Sequence, residues 1–181
     1  MHISVNISAN HLLTPGFTEF LGEQLARYPH LPADRLELEV LESAAIADME
    51  QACAIMGACR HQGVRFALDD FGTGYSSLTY LRKLPVDTLK IDQSFVRDML
   101  VDPDDLGIVE SVIQLATNFN RQVIAEGVET LEHGRVLRKL GCRLAQGYGI
   151  AKPMAAAQFP AWNQQWQEAQ LWLTLSEFNL G

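Results

Sequence analysis

Two aspartates stand side by side at Asp69-Asp70, where the alternating run Arg65-Phe66-Ala67-Leu68-Asp69 ends. A second alternating run, Thr88 to Asp92, carries Lys90 and Asp92 on one face. Adjacent carboxylates repel, and at least one pKa rises unless a cation lies between them. Paired acids at a strand end, with a lysine on the next strand, therefore suit a metal ion and an anionic substrate. Plainer roles exist for the same residues: an aspartate pair caps turns and helices, and Lys90 could simply pair with Asp92. Consecutive strand residues face opposite ways, so Asp69 and Asp70 share a site only if the strand bends or ends at Asp69.

The elements that must position these groups repeat as strand then helix. Strands are expected over His2 to Ser8, Leu36 to Val40, Val64 to Asp69, Thr88 to Asp92, Gln122 to Glu126 and Cys142 to Gln146. Helical periodicity predicts helices over Phe17 to Tyr28, from Ser43 as a cap to Gly63, and over Ser76 to Leu84, Asp104 to Phe119 and Thr130 to Leu140. In the Ser43 helix the buried positions are Ile46, Met49, Cys53, Met56 and Cys59. A closing segment places Phe159, Trp162, Trp166, Ala169 and Leu173 on one stripe, a pattern that reads as core packing. Repeated strand–helix units imply a parallel sheet covered by helices. Parity gathers Ser4, Asn6, Glu37, Glu39, Asp69, Lys90, Asp92, Glu126 and Gln146 on one face, against Ile3, Val5, Leu38, Phe66, Leu68, Leu89 and Ile91 on the other. A sheet polar on one face and apolar on the other reads as a closed barrel with polar groups inward, and these polar groups sit late in each strand, where barrel enzymes keep their active sites. A full barrel needs roughly 250 residues. This α/β chain supplies six units, so a TIM-type barrel lacking its first two is expected.

Composition narrows the class. The 181 residues are nearly half apolar (48%) and carry a net charge of -8, which argues against binding a nucleic-acid polymer. No apolar run reaches the length of a membrane span, and no signal-peptide pattern opens the chain. The three cysteines, Cys53, Cys59 and Cys142, lack metal-ligand spacing and read as reduced thiols. A cytoplasmic location is expected, with membrane anchoring through upstream segments of a parent protein left open. Gly72-Thr73-Gly74 is not followed by the Gly-Lys-Ser/Thr of a P-loop. It is read instead as a loop coupling the site to a dimer partner.

The blocks Asp69-Asp70-Phe71-Gly72-Thr73-Gly74-Tyr75-Ser76-Ser77-Leu78, Leu89-Lys90-Ile91-Asp92-Gln93-Ser94-Phe95, Ala125-Glu126-Gly127-Val128-Glu129-Thr130 and Gln146-Gly147-Tyr148 together resemble the EAL-domain family. Val5-Asn6-Ile7-Ser8 and Leu38-Glu39-Val40-Leu41-Glu42-Ser43 match in order too, with Leu41 where the family usually has threonine. The resemblance implies a cyclic di-GMP phosphodiesterase that forms linear pGpG with two Mg²⁺ or Mn²⁺ ions. It implies that Asn6, Glu39 and Asp69 hold one ion and that Asp69 bridges to a second held by Asp70 and Glu126. Lys90 would polarise water or phosphate, Glu126 would act as general base and Gln146 would bond the water. Asp92, Glu129 and Glu42 would support substrate or the Asp70–Ser77 loop, although Glu129 and Glu42 also read as solvated surface carboxylates.

The family's Glu-Ala-Leu signature, a metal-ligand glutamate followed by a substrate-holding arginine, is not in this sequence. Residues 1–181 are thus expected to form one amino-terminally truncated domain, closed by a helix within residues 153–181 and nearly inactive alone. Fused sensory or GGDEF domains fit the parent. A non-catalytic cyclic di-GMP receptor or protein-interaction module is the alternative reading, and an unrelated metal-dependent barrel a third. Open sheet edges at either end predict a homodimer or strand-exchanged oligomer. Light scattering checks this: a mass above that of one chain is expected, and a well-behaved monomer contradicts it.

Overall fold

The computed structural model describes residues 2–73 and 78–169. Six strands, β1 (Ile3–Asn6), β2 (Leu36–Leu41), β3 (Arg65–Phe71), β4 (Thr88–Ile91), β5 (Gln122–Ala125) and β6 (Leu144–Ala145), form one sheet in sequence order. Every neighbouring pair is parallel. Strand order equal to chain order, with helices in the crossovers, is the connectivity of a (β/α) barrel. Here β1 and β6 are the edges.

The apolar face is the core. Leu38, Val40, Phe66, Leu68, Leu89, Ile91 and Ala125 are buried beneath the helices. The helices supply Phe17 and Leu21 from α2 (Phe17–Arg27), and Ala52, Met56 and Cys59 from α4 (Met49–His61). Val109, Val112, Ile113 and Ala116 come from α7 (Pro103–Asn118), and Leu137 from α8 (Leu131–Lys139). Ile3 and Val5 point to the same face, yet at 45% and 46% exposure they lie outside this core, because β1 is an edge. The three cysteines are free thiols. Among the described residues no helix is long and apolar enough to cross a membrane.

Several elements differ from expectation. The helix assigned from Ser43 is two helices, α3 (Glu42–Ala47) and α4, separated by Asp48. Ser43 lies inside α3. The cap belongs to Asp48, whose carboxylate accepts the Gln51 N–H at 3.2 Å. Met56 and Cys59 are buried, and Met49 and Cys53 are half-buried. Two short helices were not foreseen, α1 (Ala9–Leu12) and α6 (Gln93–Asp98), and α5 (Leu78–Lys83) ends one residue before the expected Leu84. Among the described residues, Phe159, Trp162 and Trp166 of α9 (Phe159–Ala169) are not part of the buried core. They stack on one another, with ring centroids 5.7 and 5.6 Å apart. The expected burial of Ile46, Ala169 and Leu173, and the loop residues Gly74, Tyr75, Ser76 and Ser77, lie outside the described residues.

Leu89 is fully buried at the middle of β4. Leu89→Ala leaves a cavity under the helices and should cost about 2–5 kcal/mol. Urea unfolding checks this, and a loss under about 1 kcal/mol would contradict the assigned core.

Candidate metal and phosphodiester centre

Neighbouring strands of a sheet lie about 4.8 Å apart, so β2 and β4 are separated by roughly twice that distance. Ala67 lies between them on β3, paired with Glu39 on one side and Thr88 on the other, and is fully buried. Its small side chain lets long groups from β2 and β4 meet above it. Thr88 donates to Glu37 at 2.7 Å, and Ser4 of β1 donates to the other Glu37 oxygen at 3.3 Å. One layer nearer the carboxyl ends, Lys90 Nζ reaches Glu39 at 2.6 Å, Asp69 at 2.9 Å and Glu126 at 2.7 Å. Four strand ends thus place one ammonium among three carboxylates.

Lys90 is 2% exposed. Burial alone would depress its pKa, but the bonds to Glu126, Glu39 and Asp69 outweigh it and hold the ammonium charged well above its ordinary value. The partner anticipated as a plain ion pair, Asp92, is engaged elsewhere. It caps α6 by accepting the Ser94 N–H at 2.8 Å, and it also accepts from the Ser94 hydroxyl. Against its own burial, these bonds and one shared with Asp70 lower its pKa.

Asp70 joins the site through its backbone. Its φ is +54°, in the left-handed region, and the β3–β4 register shifts between Leu68 and Phe71. This bend lets two consecutive strand residues serve one centre, at a cost of about 1–3 kcal/mol of local strain. Ligand atoms of Asp69, Asp70 and Glu126 lie within 4.8 Å of one another. Burial first, then the charges of Asp69 and Asp92, push the Asp70 carboxyl up. Burial also raises Glu126, partly offset by Lys90. Four carboxylates, Glu39, Asp69, Asp70 and Glu126, face one ammonium, leaving negative charge uncompensated. An all-oxygen donor set of this kind fits hard divalent cations.

The remaining candidates lie around this centre. Asn6 sits opposite Glu39 on the edge strand β1 and is exposed. Glu42 is buried, not solvated, and accepts the Gly72 N–H at 3.1 Å, tying down the segment after Asp70. Its other oxygen has no partner among the described residues, and burial raises its pKa. Glu129 and Gln146 are exposed and line a cavity of about 570 Å³ with Glu126, Gln93, Tyr148 and Lys152. Sequence reading gave no role to Tyr148 or Lys152. Lys152 Nζ lies 5.8 Å from the centre of the Tyr148 ring, and the only signal was their place just after Gln146-Gly147.

A parallel (β/α) part-barrel, with an acidic centre at the carboxyl ends of its strands, defines the class of protein. The EAL domain profile matches residues 1–153, and the chain belongs to the EAL family. It is 39% identical over 160 residues to the bifunctional diguanylate cyclase/cyclic di-GMP phosphodiesterase MucR of Pseudomonas aeruginosa, covering 88% of this chain and 23% of that protein. The chain spans about a quarter of the length of the curated relatives it matches. The structure of the MucR phosphodiesterase with c-di-GMP aligns with a TM-score of 0.83 and 39% identity over 87% of this chain and 64% of that one. The EAL domain of Mycobacterium smegmatis DcpA aligns at 0.85 and 39%, over 91% and 74%. Klebsiella pneumoniae BlrP1, in a manganese and cyclic di-GMP complex, aligns at 0.78 and 33%, over 84% and 39%. The open sheet is accordingly an incomplete TIM-type barrel.

Two predictions follow from the charge arrangement. Lys90→Met leaves two buried carboxylates and the half-buried Glu126 facing one another and should cost about 3–5 kcal/mol at neutral pH. Denaturant unfolding without metal checks it; a loss under about 1 kcal/mol would mean that Lys90 holds nothing together. The second concerns pH. A carboxyl raised in the folded chain binds its proton more tightly there, so Asp70, Glu126 and Glu42 each lower stability as pH rises from the ordinary carboxylate value through the raised one. Lys90, raised, stabilises below its ordinary value and loses that as pH rises through its raised one, whereas Asp92, lowered, stabilises above its ordinary value and loses that as pH falls through its lowered one. Divalent cations bind the ionised carboxylates, so Mn²⁺ should raise the melting temperature more near pH 7.5 than near pH 5. An equal rise at both would contradict binding at this centre.

Proposed function

We propose that this chain carries the hydrolytic centre of a cyclic di-GMP phosphodiesterase that cuts one phosphodiester bond to give linear pGpG. The observation that carries the reading is the meeting of Glu39, Asp69 and Glu126 on Lys90, with Asp70 turned into the same site. The names of its relatives support it: MucR carries the phosphodiesterase activity in its name, and BlrP1 was solved with manganese and cyclic di-GMP.

In this reading Asn6, Glu39 and Asp69 would hold one divalent ion, Mg²⁺ or Mn²⁺, and Asp69, Asp70 and Glu126 would hold a second. When bound, such ions supply Lewis acidity and lower the pKa of water. The protein does the rest. Lys90 keeps the carboxylates at fixed separations and offers positive charge to the phosphate as negative charge grows in the transition state. Glu126, with its raised pKa, takes the proton of the attacking water, and Gln146 bonds that water. Asp92 and Glu42 hold Asp70 and the segment after it, while Glu129 and Lys152 face the ligand across the open cavity.

The family's first barrel strand, with its ligand glutamate, is absent from this sequence, so the chain alone should bind substrate weakly and turn over little. The parent protein should combine this centre with other domains, as the bifunctional name of MucR suggests. Cyclic di-GMP hydrolysis by the parent protein with Mn²⁺, followed by separation of pGpG, tests the proposal. Asp69→Asn should lower kcat by at least about a hundredfold. Tight binding of cyclic di-GMP without hydrolysis would overturn the proposal in favour of a receptor.

A further inference from the structure

The edge strand β1 carries Asn6, yet little packing holds it in place. All four of its residues are exposed, including Ile3 and Val5 on the apolar face. A segment with so little buried surface opens easily. Alternation does not fix its place along β2 either. Ile3-Ser4-Val5-Asn6-Ile7-Ser8 alternates throughout, so a slip of two residues keeps every side chain on its own face. Such a slip would set Asn6 opposite Glu37 or Leu41 instead of Glu39. The slip that brings Asn6 to Glu37 draws Ser8 into the sheet. It breaks the cap of α1, where Ser8 accepts the His11 N–H at 3.2 Å. The opposite slip needs a different restraint. At the start of β1 the His2 ring lies 3.3 Å from the Arg35 guanidinium, but that contact is exposed.

The restraint lies one layer beneath the acidic centre. Glu37 is 7% exposed on the interior strand β2, and its Oε1 accepts the hydroxyl of Thr88, fully buried on β4, at 2.7 Å. Its Oε2 accepts from the Ser4 hydroxyl at 3.3 Å. Ser4, Glu37 and Thr88 each stand two residues before Asn6, Glu39 and Lys90, so the lower layer repeats the strand order of the upper one. Glu37 forms no ion pair among the described residues. Arg65, its register partner on β3, donates instead to Gln122 at 3.1 Å. Hydroxyl hydrogen bonds alone therefore join β4, β2 and β1 at this level.

We propose that Glu37 is a positioning residue: held by Thr88, it binds Ser4 and keeps β1 in the register that sets Asn6 opposite Glu39. The Ser4 bond opposes the slip that would carry Asn6 past Glu39, and it resists fraying of β1 as a whole. Between the Ser4 bond and the Ser8 cap, the edge strand is restrained in both directions along β2.

The proposal rests on the function above only for the meaning of Asn6, and the tie itself can be read without metal or substrate. The experiment is amide hydrogen exchange of the full chain, corrected for intrinsic rates. Ile7 reports on β1, since its N–H donates to the Glu39 carbonyl at 2.9 Å. Asp87, whose N–H donates to Phe66 at 2.8 Å, is the reference for the sheet. Ser4→Ala should speed Ile7 about fivefold, the loss of roughly one hydrogen bond, and leave Asp87 unchanged. Glu37→Gln keeps an acceptor for Thr88 and offers Ser4 an amide donor, so Ile7 should stay within about twofold of wild type. Glu37→Leu should loosen Ile7 at least as much as Ser4→Ala, and combining the two should loosen it no further. An unchanged Ile7 in Ser4→Ala, equal loosening of Ile7 and Asp87, or a Glu37→Gln variant as fast as Ser4→Ala would overturn the tie. The Ser4→Ala and Glu37→Gln comparison stands even if Glu37→Leu fails to fold. Mg²⁺ separates the tie from the function: at about ten times its Kd it should slow wild-type Ile7 about tenfold. Failure to slow would contradict Asn6 as a ligand, while Ser4→Ala alone decides the tie.

Discussion

A single ammonium group decides whether the carboxyl end of this sheet can exist as drawn. Glu39, Asp69 and Glu126 come from three different strands and point into one buried volume. Without Lys90 their mutual repulsion would push the strand ends apart or force protonation. Lys90 in turn is tolerated in the interior only because three anions surround it, since an isolated buried ammonium would neutralise. The arrangement is thus mutually dependent, and it does not balance: Asp70 brings a further carboxylate, which burial first and then its acidic neighbours push up.

Geometry serves this centre in two places. Ala67 is the small residue that lets side chains of β2 and β4 meet across β3, which makes layers inside a sheet that has not closed. Asp70 spends backbone strain to turn a second carboxylate inward at the register shift. Glu42 then holds the next residue but one through the Gly72 amide. The register shift and the left-handed Asp70 fall together where the charges meet, as expected where a site rather than stability sets the conformation.

Much of this was legible in the letters. Alternation at Leu36–Glu39, Phe66–Asp69 and Leu89–Lys90 placed the acids and the lysine on one face and the core on the other, because strand period leaves no third choice. The order of the units gave the sheet order. Less legible were features set by tertiary contact. Ser43 caps nothing because α3 starts at Glu42, directly after β2, and Asp48 caps the separate helix α4. Asp92 shares its face with Lys90, yet its carboxylate is taken by Ser94 at the start of α6, a helix too short to show a period. The apolar stripe of α9 could not reveal whether a core lay beneath it, and Phe159, Trp162 and Trp166 pack on each other instead. Glu42 read either as support for the loop after Asp70 or as a solvated carboxylate, and only the fold buries it.

The central claim is that these strand ends converge in order to hold divalent cations. The most direct measurement is anomalous diffraction at the manganese edge from crystals of the protein grown with Mn²⁺. The account predicts anomalous density bounded by Asp69, Asp70 and Glu126, with Asp69 in direct coordination. A Mn²⁺-containing crystal in which that volume shows no anomalous density, while Lys90 keeps its three carboxylate partners, would contradict it.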